Sequence, residues 1–142
     1  MQIRPYLNFA QTQEALDLYR KMGATDIEMT LGSDEMFSDM PDEQKMAPDF
    51  VMNASFELFG HRIYASDTWG NTEVDHSASN IAFDFDINLP EEVDQVRKFI
   101  ERTVELGGEA TMPLGEAEWT PMFGMVRDAI GVSWIFNGVE GS

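Results

Sequence analysis

The chain has 142 residues, with 26 acidic side chains against nine basic ones, a formal net charge of −17, two His and no Cys. That length fits one ordinary domain or two small modules sharing a core, and 43% hydrophobic residues exclude a disordered chain. The absence of Cys excludes disulfides, thiolate metal sites and a Cys nucleophile, and the carboxylate excess would repel a phosphate backbone.

No apolar run approaches the roughly 20 residues needed to span a bilayer. Met1-Gln2-Ile3-Arg4-Pro5 lacks the basic and then apolar order of a signal peptide. The expectation is a cytoplasmic protein with neither nucleic acid nor membrane as partner. The charge is spread, −9 over residues 1–76 and −8 over residues 77–142. It reads either as a solvated acidic surface or as adaptation to high salt.

Residues 2–9 alternate, Ile3, Pro5, Leu7 and Phe9 against Arg4, Tyr6 and Asn8, which predicts a strand with one apolar face. A helix follows with Thr12 as N-cap, an inner stripe of Ala15, Leu18, Tyr19 and Met22, and Gly23 as its stop. A second strand covers 25–31. Residues 32–49 form a long loop whose Met36, Phe37, Met40 and Met46 cover either a ligand or the core edge. Residues 50–59 and 62–67 are strands joined by a turn through Gly60-His61.

From residue 79 the order starts again. Ile81, Phe83, Phe85 and Ile87 alternate with Asn80, Ala82, Asp84 and Asp86. Leu89-Pro90-Glu91-Glu92 opens a helix with inner positions Val93, Val96, Phe99, Ile100, Thr103 and Val104. Gly107-Gly108 ends it, 109–112 is a short strand, and after a loop with Trp119 come strands at 123–127 and 132–137. Each half reads strand, helix, strand, strand, strand. One such half is too small to bury its own apolar face, so two are expected to share a core, 1–76 and 77–142.

A doubled βαβββ unit of this length resembles the vicinal oxygen chelate superfamily, which includes glyoxalase I, bleomycin-resistance proteins and extradiol dioxygenases. The PhnB-like branch is the nearer likeness. The stretches that carry it are Pro5-Tyr6-Leu7-Asn8-Phe9, then Gly60-His61-Arg62-Ile63-Tyr64-Ala65-Ser66-Asp67, and Asp128-Ala129-Ile130-Gly131-Val132-Ser133-Trp134-Ile135-Phe136-Asn137. The resemblance implies an α+β fold: two βαβββ modules in a curved eight-stranded mixed sheet with a central cleft. It also implies a homodimer. Metalloenzymes of the superfamily hold a divalent ion at positions that fall here near Arg4, Tyr64 or Ser66, Asn80 and Ile135. A permanent cation, a weak amide donor and an alkyl group are poor ligands, so no metal and no other cofactor is expected.

Helices pack on the apolar set, which leaves the other set to line the hollow. The ligand-binding candidates are Arg4, Tyr6, Asn8, Tyr64, Ser66, Asn80, Asp84, Trp119 and Ser133. Arg4 would pair with a carboxylate or phosphonate on the ligand, or else bridge to Asp84 or Glu57. Asp84, if buried, is the acid or base candidate. Trp119 either closes over the ligand or packs in a dimer interface. A slip of one residue in the fourth strand would exchange Tyr64 and Ser66 for Ile63 and Ala65.

A relocated metal site would need His61, Asp67, Glu73, Asp75 and His76, against the alternative of two solvated His on loops. No nucleophile elbow, glycine-rich phosphate loop or S-adenosylmethionine motif occurs. Three functions remain. One is metal-independent binding of a small molecule, anionic where Arg4 is its contact, for resistance or sequestration. Another is an isomerase or lyase of the superfamily with atypical metal ligands. The third is a structural dimer whose cleft is filled by loop 32–49.

Overall fold

The structure, a computed structural model, describes residues 1–34, 41, 47–69 and 73–141. The chain divides into two compact units, Met1–Val74 and Asp75–Ser142. The first contains β1 (Tyr6–Phe9), α1 (Thr12–Met22), β2 (Thr25–Leu31), β3 (Val51–Leu58) and β4 (His61–Asp67). The second repeats the order with β5 (Asn80–Asp86), α2 (Pro90–Glu105), β6 (Glu109–Ala117), β7 (Thr120–Arg127) and β8 (Ser133–Val139). The α+β class with two βαβββ modules is the one the chain adopts. Each module forms a four-stranded mixed sheet, in the orders β1-β4-β3-β2 and β5-β8-β7-β6.

In both sheets the first and last strands of the module run parallel and the remaining pairs antiparallel. A parallel pair needs a long crossover, and α1 and α2 lie within those crossovers. α1 buries Ala15, Leu16, Tyr19 and Met22. The sheet meets it with buried Leu7, Phe9, Ala54, Phe56, Ile63 and Ala65. Tyr19 packs between Phe9, at 5.9 Å, and Phe56, at 5.3 Å between ring centroids. In the second unit Phe99 of α2 meets Trp134 and Phe136 edge-on at 5.6 and 5.5 Å. Each of these fully buried aromatic side chains contributes about 2–3 kcal/mol by removal from water.

Several expectations need correction. β1 begins at Tyr6, not residue 2, and Ile3 and Pro5 are exposed, Ile3 at 99%. Residues 1–4 gain no ladder in this chain, and alternation alone does not supply one. Thr12 is the first helical residue of α1, not its cap: its backbone N–H donates to Asp67 Oδ1 at 2.7 Å, while Gln11 occupies the N-cap with no side-chain bond. Leu18 is half-buried, and at the far end of α2 Val104 is exposed.

The β3–β4 turn is Phe59-Gly60, with φ of 52° and 78°, so His61 already belongs to β4. Two left-handed residues in a row match the twist of a two-residue hairpin, and Gly60 accepts that geometry at no steric cost. β6 runs nine residues where four were expected, with register shifts between Glu109, Met112, Gly115 and Ala117. It is an edge strand, which tolerates Pro113. Most of loop 32–49, including Met36, Phe37, Met40 and Met46, lies outside the described residues.

Candidate functional site

The face of the first sheet away from α1 is polar. Parity places Tyr6 and Asn8 of β1, Arg62, Tyr64 and Ser66 of β4, and Ser55 and Glu57 of β3 on it. Ile63 and Ala65 are 1% and 0% exposed against α1, which fixes the register that the sequence left open. Tyr6 pairs with Tyr64 and Asn8 with Ser66 across the parallel ladder. The Tyr6 hydroxyl donates to Ser66 Oγ at 2.9 Å, and Ser66 Oγ donates to Asn8 Oδ1 at 3.1 Å. This chain fixes three side chains relative to one another while Tyr6 and Asn8 stay exposed.

The two guanidinium groups near this face differ. Arg62 donates to Ser55 Oγ at 2.7 Å, to Glu57 Oε1 at 3.3 Å and to the Asp26 carbonyl at 3.2 Å, with Glu28 at 3.9 Å. Its charge is compensated inside the module. Arg4 precedes β1, is exposed, and lays its guanidinium over the Tyr64 ring, 4.8 Å from the centroid. That cation–π contact orients the group and leaves its N–H donors directed elsewhere. Among the described residues no carboxylate lies within salt-bridge distance of Arg4 in its own module.

The second sheet offers a face of other character. Its open rows run Asp84–Asn137–Phe123, Ala82–Ile135–Met125 and Asn80–Ser133–Arg127 across β5, β8 and β7. Asn137 Nδ2 donates to Asp84 Oδ1 at 3.2 Å. Trp119, 64% exposed, meets Phe123 edge-on at 5.1 Å. Asn80 is exposed and Ser133 is 4% exposed. Asp84 is exposed, so the burial on which its acid–base role depended is missing.

Of the residues considered for a relocated metal, Asp67 and Asp75 are engaged within the fold. Asp67 is consumed by structure: Oδ1 accepts from Thr12 N and Oδ2 from Val51 N at 2.8 Å. His76 is 7% exposed, so it is not a solvated loop residue. Asp75 accepts from the Ser77 backbone N–H at 2.9 Å, and the Ser77 bonds hold its carboxyl below the ordinary 3.8. Among the described residues no three His, Asp or Glu side chains are arranged to hold a metal ion. Arg4, Tyr64, Ser66, Asn80 and Ile135 are each poor ligands for a divalent cation: a permanent cation, neutral hydroxyls, an amide and an alkyl group.

Two features escaped the sequence. Asp128, 3% exposed, organises the β7–β8 turn: Oδ1 accepts from the backbone N–H of Ile130, Gly131 and Val132, and Oδ2 from Trp134 Nε1. An Asp followed by a tight turn is its only sequence signal. The other is a cavity of about 420 Å³ at the N-terminus of α1, beside Thr12, Glu14, Asp49 and Phe50. Among the described residues no helix is long and apolar enough to cross a membrane.

No protein-family model matches the chain. It is similar to protein YjdN of Escherichia coli strain K12, 24% identical over 148 residues that cover 99% of this chain and 97% of that one. Among solved structures it is similar to protein PA1353 from Pseudomonas aeruginosa, 28% identical with a TM-score of 0.69 over 99% of both chains. A PhnB protein from Bacillus cereus, described as a putative 3-demethylubiquinone-9 3-methyltransferase, is 22% identical with a TM-score of 0.64, over 98% of this chain and 100% of that one. The fold is shared with a bleomycin resistance determinant encoded on transposon Tn5 and with the fosfomycin resistance protein FosX from Listeria monocytogenes, at TM-scores of 0.58 and 0.56. The PhnB-like, bleomycin and fosfomycin resistance neighbours are members of the vicinal oxygen chelate superfamily.

Proposed function

We propose that this chain is a metal-independent small-molecule binding protein of the PhnB-like type, whose two modules act as one domain in a cytoplasmic homodimer. The ligand carries a carboxylate or phosphonate that pairs with Arg4, while Tyr6, Asn8, Tyr64 and Ser66 orient it. The observation that carries the reading is the difference between Arg62, compensated by Glu57 and Glu28, and Arg4, held on the Tyr64 ring. A guanidinium is a planar donor set suited to two-point contact with an oxyanion.

Binding without turnover is supported by the chemistry of the open faces, which present hydroxyl, amide and guanidinium groups and an exposed, unshielded Asp84. The bleomycin and fosfomycin resistance named for two structural neighbours supports sequestration of a toxic compound as the role. Protein treated with chelator is screened by thermal shift against aryl and alkyl carboxylates and phosphonates. Stabilisation by an anion, unaltered when divalent metal is restored, is the expected result. Stabilisation that requires the metal contradicts it.

A further inference from the structure

The geometry points to a second subsite, on the open face of the second module, that takes an organic ammonium ion carried on an aromatic body. The row Asp84–Asn137–Phe123 sets a carboxylate and an aromatic ring two strands apart, roughly 10 Å between their Cα atoms. Asn137 stands between them and donates to Asp84, which holds one carboxylate oxygen in place and leaves the other to a ligand. At the aromatic end Trp119 and Phe123 form an edge-to-face pair with the indole 64% exposed. Ala82, Ile135 and Met125 continue the same face as an apolar row.

Charge selects the ligand. Among the described residues no Lys, Arg or His forms a salt bridge with Asp84 in this module. Arg127, the cation of this face, lies two rows away, roughly 13 Å along the sheet, with Glu109 opposite it in register. With no cation paired to it among the described residues, the Asp84 carboxylate draws a cation and turns an anion away. An ammonium group on Asp84 would place an aromatic body across β8 and against Phe123 and Trp119, where ring contacts add to area burial. This subsite does not depend on Arg4.

The test compares 4-phenylbutylamine with 4-phenylbutyrate and butylamine, by calorimetry and by amide chemical shifts in the intact protein. The amine is expected to shift Ala82, Asp84, Phe123, Met125, Ile135 and the Trp119 indole resonance. The butyrate and the ringless amine should leave these unmoved. Asp84→Asn is expected to raise the Kd about fivefold. Trp119→Ala should raise it about tenfold. Both side chains are exposed, so melting temperatures should stay within a degree or so of the parent. Arg4→Gln should leave amine binding intact, so failure of the anion site and failure of this one are read separately. Equal or tighter binding of the butyrate, an Asp84→Asn variant that binds the amine unchanged, or no binding of the amine each overturns the proposal.

Discussion

The carboxylate of Asp128 accepts a 2.9 Å hydrogen bond from the indole nitrogen of Trp134, the bulkiest of the fully buried side chains described. The same carboxylate takes three backbone N–H groups of the turn that launches β8. One side chain thus sets both the turn and the orientation of the core aromatic that α2 packs against. Asp128→Ala leaves the Ile130 and Val132 N–H groups and the Trp134 indole N–H without partners, while the Gly131 N–H keeps the Asp128 main-chain carbonyl at 3.0 Å. Each orphaned donor costs about 1–3 kcal/mol, softened by relaxation, so a net loss of about 3–4 kcal/mol is expected. Asp128→Asn keeps an acceptor for the turn and should lose less. Urea denaturation checks the order; equal losses would assign the role to volume alone.

Asp67 does the corresponding work in the first module, tying α1 to the start of β3 through Thr12 N and Val51 N. Its charge also lies at the positive end of the α1 dipole. Asp67→Asn is expected to lose about 1 kcal/mol and Asp67→Ala about 2 kcal/mol. Amide hydrogen exchange should show the loss concentrated in the first turn of α1 and at Val51. Uniform loss over the module would contradict a local capping role.

Gly108 has no room for a side chain. A Cβ there would sit 2.5 Å from the Arg127 carbonyl oxygen and 2.8 Å from the Thr103 carbonyl oxygen. Both are backbone atoms of packed elements, so Gly108→Ala must displace the α2–β6 junction. A loss of about 2–3 kcal/mol is expected in chemical denaturation. A variant as stable as the parent would show that the junction yields freely.

The net charge of −17 opposes compaction of the folded chain. Raising KCl from about 0.1 M to about 1 M shortens the screening length from about 10 Å to about 3 Å. The melting temperature is expected to rise by several degrees. A flat or falling response would show that the repulsion is already relieved within the surface.

The sequence resolved parity wherever apolar residues alternate against a helix. Phe83 and Phe85, or Trp134 and Phe136, leave one choice of face, and so did Ile63 and Ala65 once α1 was in place. It misjudged Ile3 and Pro5, which continue the pattern of β1 with no strand beside them. The full length of β6 is not legible because Met112-Pro113-Leu114-Gly115 has neither strand composition nor alternation, and its pairing continues through register shifts. Asp67 and Asp128 were invisible as anchors. Thr12 lies 55 residues from Asp67, and a contact at that separation leaves no local trace. In the candidate site, the faces were legible and the contacts on them were not: Arg62 and Arg4 look alike in sequence and differ only through Ser55, Glu57 and Tyr64.

The most direct measurement is a titration of labelled protein with benzoate and methylphosphonate, followed by amide chemical shifts in the parent and in Arg4→Gln. The account predicts shifts gathered at Tyr6, Asn8, Tyr64 and Ser66 in the parent, and their loss in the variant at unchanged melting temperature. Identical shifts in both proteins, or none at these four residues, would contradict it.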